Sequence, residues 1–158
     1  MRITPGSALS GSFDSISQAQ DVQEINPALD RVMPLTEIQA ATEVSESSTA
    51  ASAPLNCIGF TWVYLEVVYS TGNEDGLEII VKMLGEGNSS DEIQWESYNE
   101  DGAGVRTMTK VSWQYTDTGK YAIILPVSGV PYIKVYEGRV GAIATTGTVQ
   151  LKYAMFNN

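Results

Sequence analysis

The sequence predicts an all-β protein: a two-layer antiparallel β-sandwich of about seven strands, behind an extended N-terminal arm that holds at most short helices. Three observations predict it. Past Pro54 the apolar residues recur with a period of two, as they do on half-buried strands. Turn residues separate nearly all of these stretches. The composition leans to Tyr, Trp, Gly, Thr and Val rather than Ala, Leu and Lys, which favours strand and turn over helix.

Ile58–Tyr69 (IGFTWVYLEVVY) is β-branched and aromatic on both faces, the pattern of a central strand buried between layers. Leu77–Leu84 alternates, with Leu77, Ile79, Val81 and Met83 on one face. Ile93, Trp95 and Ser97 alternate with Gln94, Glu96 and Tyr98. Val105–Asp117 sets Val105, Thr107, Thr109, Val111, Trp113 and Tyr115 on one side. Tyr121, Ile123 and Leu125 follow, then Tyr132–Tyr136, then Thr148–Phe156 with Val149, Leu151, Tyr153 and Met155 inward. Such spacing is that of an Ig-like or jelly-roll-like sandwich, and spacing does not choose between the two.

The chain divides near Pro54 into an arm and linker, residues 1–54, and a sandwich, residues 55–158. Of the 14 aromatic residues only Phe13 precedes Pro54. The arm therefore lacks the large side chains that offset roughly 1–2 kcal/mol of backbone ordering per residue. Residues 1–20 are rich in Ser and Gly and read as flexible. Val22, Ile25, Leu29, Val32 and Met33 are spaced like one helical face, and Asn26–Pro27 makes a good N-cap and first helical residue. A short helix over Pro27–Met33 is expected, ended by Pro34, with a second turn opening at Thr36 beside Leu35 and Ile38. Residues 45–54 (SESSTAASAP) read as a linker of small polar residues. Short helices with a thin apolar stripe are marginal alone in water. The arm is thus expected to order on a partner, burying Val22, Ile25, Leu29, Val32, Leu35 and Ile38.

Composition removes several kinds of chemistry. The chain has no His, which takes away the usual general base and the commonest metal ligand. Cys57 is the single cysteine, so neither an intrachain disulfide nor a thiolate cluster is possible, and its apolar flanks predict a buried thiol. A formal charge of −10 repels phosphate and argues against nucleic acid. No apolar run approaches the ~18 residues that would cross a bilayer, and Met1–Asp14 has no apolar core of a secretory leader. No cofactor is implied, and the protein is expected inside a cell, or assembled there into something larger.

The candidate sites each have an ordinary explanation. NEDG stands at Asn73–Gly76 and at Asn99–Gly102, where Asx caps and a positive-φ Gly predict turns ahead of a calcium loop. Trp62, Trp95 and Trp113 sit in alternating strands and are expected in the core rather than on a sugar platform. Glu66 lies amid Leu65, Val67 and Val68; it is expected at a strand edge or facing solvent, and burial would require a partner such as Lys82 or Lys134. Gly138–Ala142 through Thr145–Gly147 is small and Gly-rich without a P-loop's lysine, and reads as a long hairpin loop.

The closing stretch, PYIKVYEGRVGAIATTGTVQLKYAMFN, resembles the ends of small β-sandwich virion proteins of tailed bacteriophages. In those an aromatic strand leads through a Gly/Ala/Thr loop into a last strand, here carried by Thr146, Gly147, Thr148, Val149, Leu151 and Tyr153. The resemblance covers about a quarter of the chain. It implies a virion structural protein, of the capsid decoration, cement or head–tail accessory type. Its partners would be capsid or neck and tail proteins, met as a homo-oligomer or symmetric array in the particle. The sequence on its own leaves open another class, a lectin-like carbohydrate-binding module. Enzymatic function is not expected, since paired carboxylates are the one catalytic chemistry left and nothing sets a second acid opposite Glu66.

Overall fold

A computed structural model describes residues 32–85, 92–100, 102–104, 106–141, 144 and 146–157. The strands among them are β1 (Thr36–Glu43), β2 (Thr49–Ala50), β3 (Leu55–Asn56), β4 (Trp62–Ser70), β5 (Gly76–Leu84) and β6 (Ile93–Gln94). They continue with β7 (Glu96–Glu100), β8 (Arg106–Lys110), β9 (Trp113–Tyr115), β10 (Gly119–Pro126), β11 (Tyr132–Val140) and β12 (Thr148–Phe156). Every pairing is antiparallel.

One layer has the order β1-β12-β4-β10. In the other, β11 and β5 are central, with β2 and β3 sharing the outer edge of β11 and β6 and β9 sharing that of β5. Counting each shared edge as one row gives eight rows in chain order. The first row then pairs with the last, the second with the seventh, the third with the sixth and the fourth with the fifth. That nested pairing is the double Greek key of a jelly roll. It decides between the two topologies that spacing left open.

Alternation puts Val63, Leu65, Val67 and Tyr69 of β4 inward, against Leu77, Ile79 and Val81 of β5. Val149, Leu151 and Met155 join from β12, and Ile133 and Val135 from β11. Cys57 is buried, and burial pushes its thiol up to about 12, so it packs as a small apolar group.

Several expectations are corrected. The sandwich takes in residues well before Pro54, as far back as Val32. Thr36–Glu43, read as the site of a helical turn, is a strand along β12, and Val44 is buried in the core. Val32 bridges Phe156 and the Met33 amide donates to the Met155 carbonyl at 2.8 Å, so these two residues are extended rather than helical. Without them β12 would be an open edge, and the hydrogen bonds of that edge outweigh local helix preference. The remainder of the expected helix, residues 27–31, lies outside the described residues.

The supposed linker is also structure. Residues 45–56 lie along β11: the Arg139 amide donates to the Ser45 carbonyl at 2.9 Å and the Ala51 amide to the Val135 carbonyl at 2.9 Å. Glu137, buried on the inner side of β11, accepts the Ser45 amide at 3.1 Å and the Ser45 hydroxyl. A side chain at Gly138 would strike the Ser48 backbone, so this glycine belongs to a strand and not to the Gly-rich loop. Small polar residues suit an edge row that packs flat on its neighbour.

Three of the expected strands change their limits. The Ile58 strand begins at Trp62, because the Phe60 amide closes a turn on the Cys57 carbonyl at 3.0 Å. Ile93–Ser97 and Val105–Asp117 each break in two. Their inner pieces, β6 and β9, pair with β5, while β7 and β8 pair only with each other. The edge row therefore leaves the sheet at Trp95, runs out and back as a two-stranded ribbon, and rejoins at Trp113.

The outer face of the four-stranded sheet

Pleating that points Val63, Leu65, Val67 and Tyr69 inward points Trp62, Tyr64, Glu66 and Val68 outward. The registers then fix their neighbours. Trp62 lies between Pro126 and Phe156, and Phe156 is bridged by Val32. Tyr64 lies between Ile124 and Ala154. Leu35 stands two residues before Glu37, whose carboxylate accepts from the outward Gln150 at 2.7 Å, and so falls on the same face. Two adjacent rows of apolar side chains thus cross the whole sheet at one end. Val32 is 69% exposed, Ile124 57% and Leu35 46%. Large apolar side chains this exposed and this contiguous mark docking surfaces more often than single exposed residues do.

The next row across is Ala122, Glu66 and Lys152. Glu66 is buried, unlike the solvent-facing acid expected, and its partners are neither Lys82 nor Lys134. Lys120 Nζ lies 3.1 Å away and Lys152 Nζ 3.8 Å. Two lysine stems fold over the carboxylate and supply the charge it needs on a half-buried face. The apolar rows thus end in a neutralised charged border.

The opposite outer face differs in kind. There Glu92 takes Lys82 at 2.9 Å, Lys134 at 3.2 Å and the Tyr136 hydroxyl, and Lys82 sits 4.3 Å over the Tyr136 ring. Hydrogen bonds from Tyr136 and Lys82 hold the Glu92 carboxyl down at about 2. Glu92 thus gathers both lysines and Tyr136 into one polar cluster on this face.

Of the residues expected to meet a partner, Val32 and Leu35 lie on the apolar face. Ile38 does not: it packs against the core. Val22, Ile25 and Leu29 lie outside the described residues. Trp62, expected in the core, is on this face. Trp95 and Trp113 do pack against the core. Trp62 shares its strand parity with Tyr64 and Glu66, and in a strand apolar on both sides parity alone does not say which side is inner. Pro126 and Ile124 carried the only sequence hint, as apolar residues out of step with Tyr121, Ile123 and Leu125.

The turn candidates resolve separately. Glu74 of the first NEDG is buried and fully engaged: it accepts from the Tyr69 hydroxyl at 2.7 Å, the Gly72 amide at 2.9 Å, and the Thr146 and Gly147 amides at 3.2 and 3.1 Å. Burial alone would raise this carboxyl, but those donors win and hold it at about 2. It staples the β4–β5 turn to the loop before β12, and leaves no lone pair directed at a cation. Neither Gly76 nor Gly102 has positive φ; Gly104 does, at 75°, which moves the second turn two residues along. Among the described residues no cluster of His, Cys, Asp and Glu is arranged to hold a metal ion.

A shallow concavity at the end nearest Val32 lies between Cys57–Phe60 and Gly129–Pro131, with Ile58 57% exposed on its rim. Its lining offers no charged side chain.

The molecule is thus a jelly-roll sandwich with a polar cluster on one outer face and two apolar rows on the other, Val32 at their edge. No protein family model and no curated protein matches the chain. Among solved structures it is similar to a crystal structure of the SPBc2 prophage-derived protein YomS, at TM-score 0.47 and 12% identity, over 79% of this chain and 92% of that one. It is similar also to a structure of the infectious bursal disease virus Gx strain, at TM-score 0.38 and 14% identity, over 80% of this chain and 33% of that one.

Proposed function

We propose that the chain is a non-enzymatic virion structural protein, a capsid decoration, cement or head–tail accessory protein, which docks through its N-terminal arm and its outer sandwich face. The observation that carries this reading is the apolar face itself, set by Trp62, Tyr64, Ile124, Phe156, Val32 and Leu35 on a rigid sheet. The likeness of the closing stretch to phage virion proteins supports the same reading. So does an arm that begins at the edge of that face. Incorporation into particles is the test. Ile124→Glu puts a charge on an exposed position and is expected to abolish incorporation while the sandwich still folds. Removal of residues 1–31, which spares β1, is expected to do the same. Unchanged incorporation in both variants overturns the proposal.

A second reading draws on one specific feature, the aromatic pair Trp62 and Tyr64 on an outer face, which could stack on a pyranose ring. Jelly rolls serve viral capsid and lectin domains alike, so fold does not separate the two. A glycan-array signal lost on Trp62→Ala would favour a carbohydrate-binding module.

A further inference from the structure

We infer that the apolar outer face of the β1-β12-β4-β10 sheet receives the segment around Val22, Ile25 and Leu29 from the arm of a second copy of this chain. The inference rests on the docking role proposed above and assigns the surface and the partner. Three observations carry it. The first is where the described chain starts. Val32 is itself the edge of the row Val32, Phe156, Trp62 and Pro126, so the arm leaves at the rim of the face.

The second is direction and length. Traced backwards from Thr36 to Val32, the chain passes from Tyr153 to Phe156, toward the end of the sheet where β12 stops and β4 begins. Residues 1–31 reach as far as ~100 Å when extended, against about 15 Å across four strands. The arm is long enough to reach a neighbour several times over.

The third is complementarity. Asp21–Asp30 carries the apolar residues with three acids and no base. The match is apolar: Val22, Ile25 and Leu29 would meet the two apolar rows, whose border sets Glu66 and Glu37 beside Lys120 and Lys152 and so carries no excess of either charge. An arm on one copy and a face on the next make a head-to-tail contact, which closes into rings or runs on as chains.

Disulfide trapping in the full chain tests this. Cysteine at Ile25 and Ile124 of one chain should give, on oxidation, a ladder of covalent oligomers. Mixing Ile25→Cys chains with Ile124→Cys chains should give a dimer containing one of each. Cys57 stays silent because it is buried. Adding Val22→Asp and Leu29→Asp should cut the cross-linked fraction at least about tenfold. A monomer bridged to itself would show the arm covering its own face and overturn the inference, as would no cross-link at all. If trapping fails while Ile124→Glu still blocks incorporation into particles, the face meets another virion protein and only this inference falls. If both fail, the proposed function falls with it.

Discussion

Glu74 joins two loops that the chain separates by some seventy residues, and it does so with a single carboxylate. Both oxygens are spent on donors from Tyr69, Gly72, Thr146 and Gly147. The two loops meet so closely that a side chain at Gly72 would strike the Gly147 amide, and one at Gly147 would strike Glu74. Because the folded carboxyl sits at about 2, below its ordinary 4.5, the unfolded chain takes up a proton first as pH falls. The stabilisation is therefore complete above about 4.5 and lost as pH drops toward 2. Glu92 titrates in the same window, but on the surface, where its ion pairs contribute less. Glu74→Gln is expected to lower stability at pH 7 by about 2 kcal/mol, since amide donors lose their acceptor. It should also flatten the acid limb of the profile, as read from urea midpoints between pH 2 and 7. A midpoint unchanged at pH 7 would remove Glu74 from its assigned role.

At the scale of elements, the edge rows account for most of what differs from the sequence reading. Residues 45–56 carry almost no apolar side chains, yet they are held by the backbone of β11 and by Glu137. The β7–β8 ribbon is the reverse: it belongs to two stretches that read as longer alternating strands, but among the described residues β7 and β8 pair with each other alone, and Met108 is 60% exposed. Alternation shows that a segment can be a strand; it does not show that the strand has a core to cover. Stability should follow the contacts and not the pattern. Met108→Ser on the ribbon is expected to shift stability by less than about 0.5 kcal/mol. Ser45→Ala in the apparent linker should cost about 1–2 kcal/mol, because it strips a hydroxyl from the buried Glu137. The two urea midpoints, measured side by side, check the contrast.

For the whole molecule, the nested pairing of the jelly roll makes the first strand as necessary as the last. β1 closes the edge of β12, and Val44 enters the common core. The folded body therefore includes the residues from Val32 onward and does not begin at Pro54. Removing residues 1–31 should leave the urea midpoint within about 1 kcal/mol of the full chain, whereas removing 1–44 should cost several kcal/mol or prevent folding. The same closure leaves the sandwich with two unlike outer faces. One gathers Lys82 and Lys134 on Glu92; the other presents two apolar rows that end at Val32 and Leu35.

How much of this was legible can be told from particular residues. The inward sets of β5 and β12 were readable, because alternation over nine residues depends only on neighbours in the chain. So was the burial of Cys57, from its apolar flanks. The dual fate of β4 was not: Trp62 and Leu65 are equally apolar, and only the position of the second layer makes one outer and the other core. The identity of Glu66's partners was likewise settled by register, which sets Lys152 and not Lys134 beside it. The sequence by itself determined that this is a strand-built sandwich without histidine or thiol chemistry, since local periodicity and composition suffice for that. The tertiary structure alone decided which strands pair, where the body begins and which face is left greasy. Those depend on contacts between residues far apart in the chain, and no local pattern encodes them.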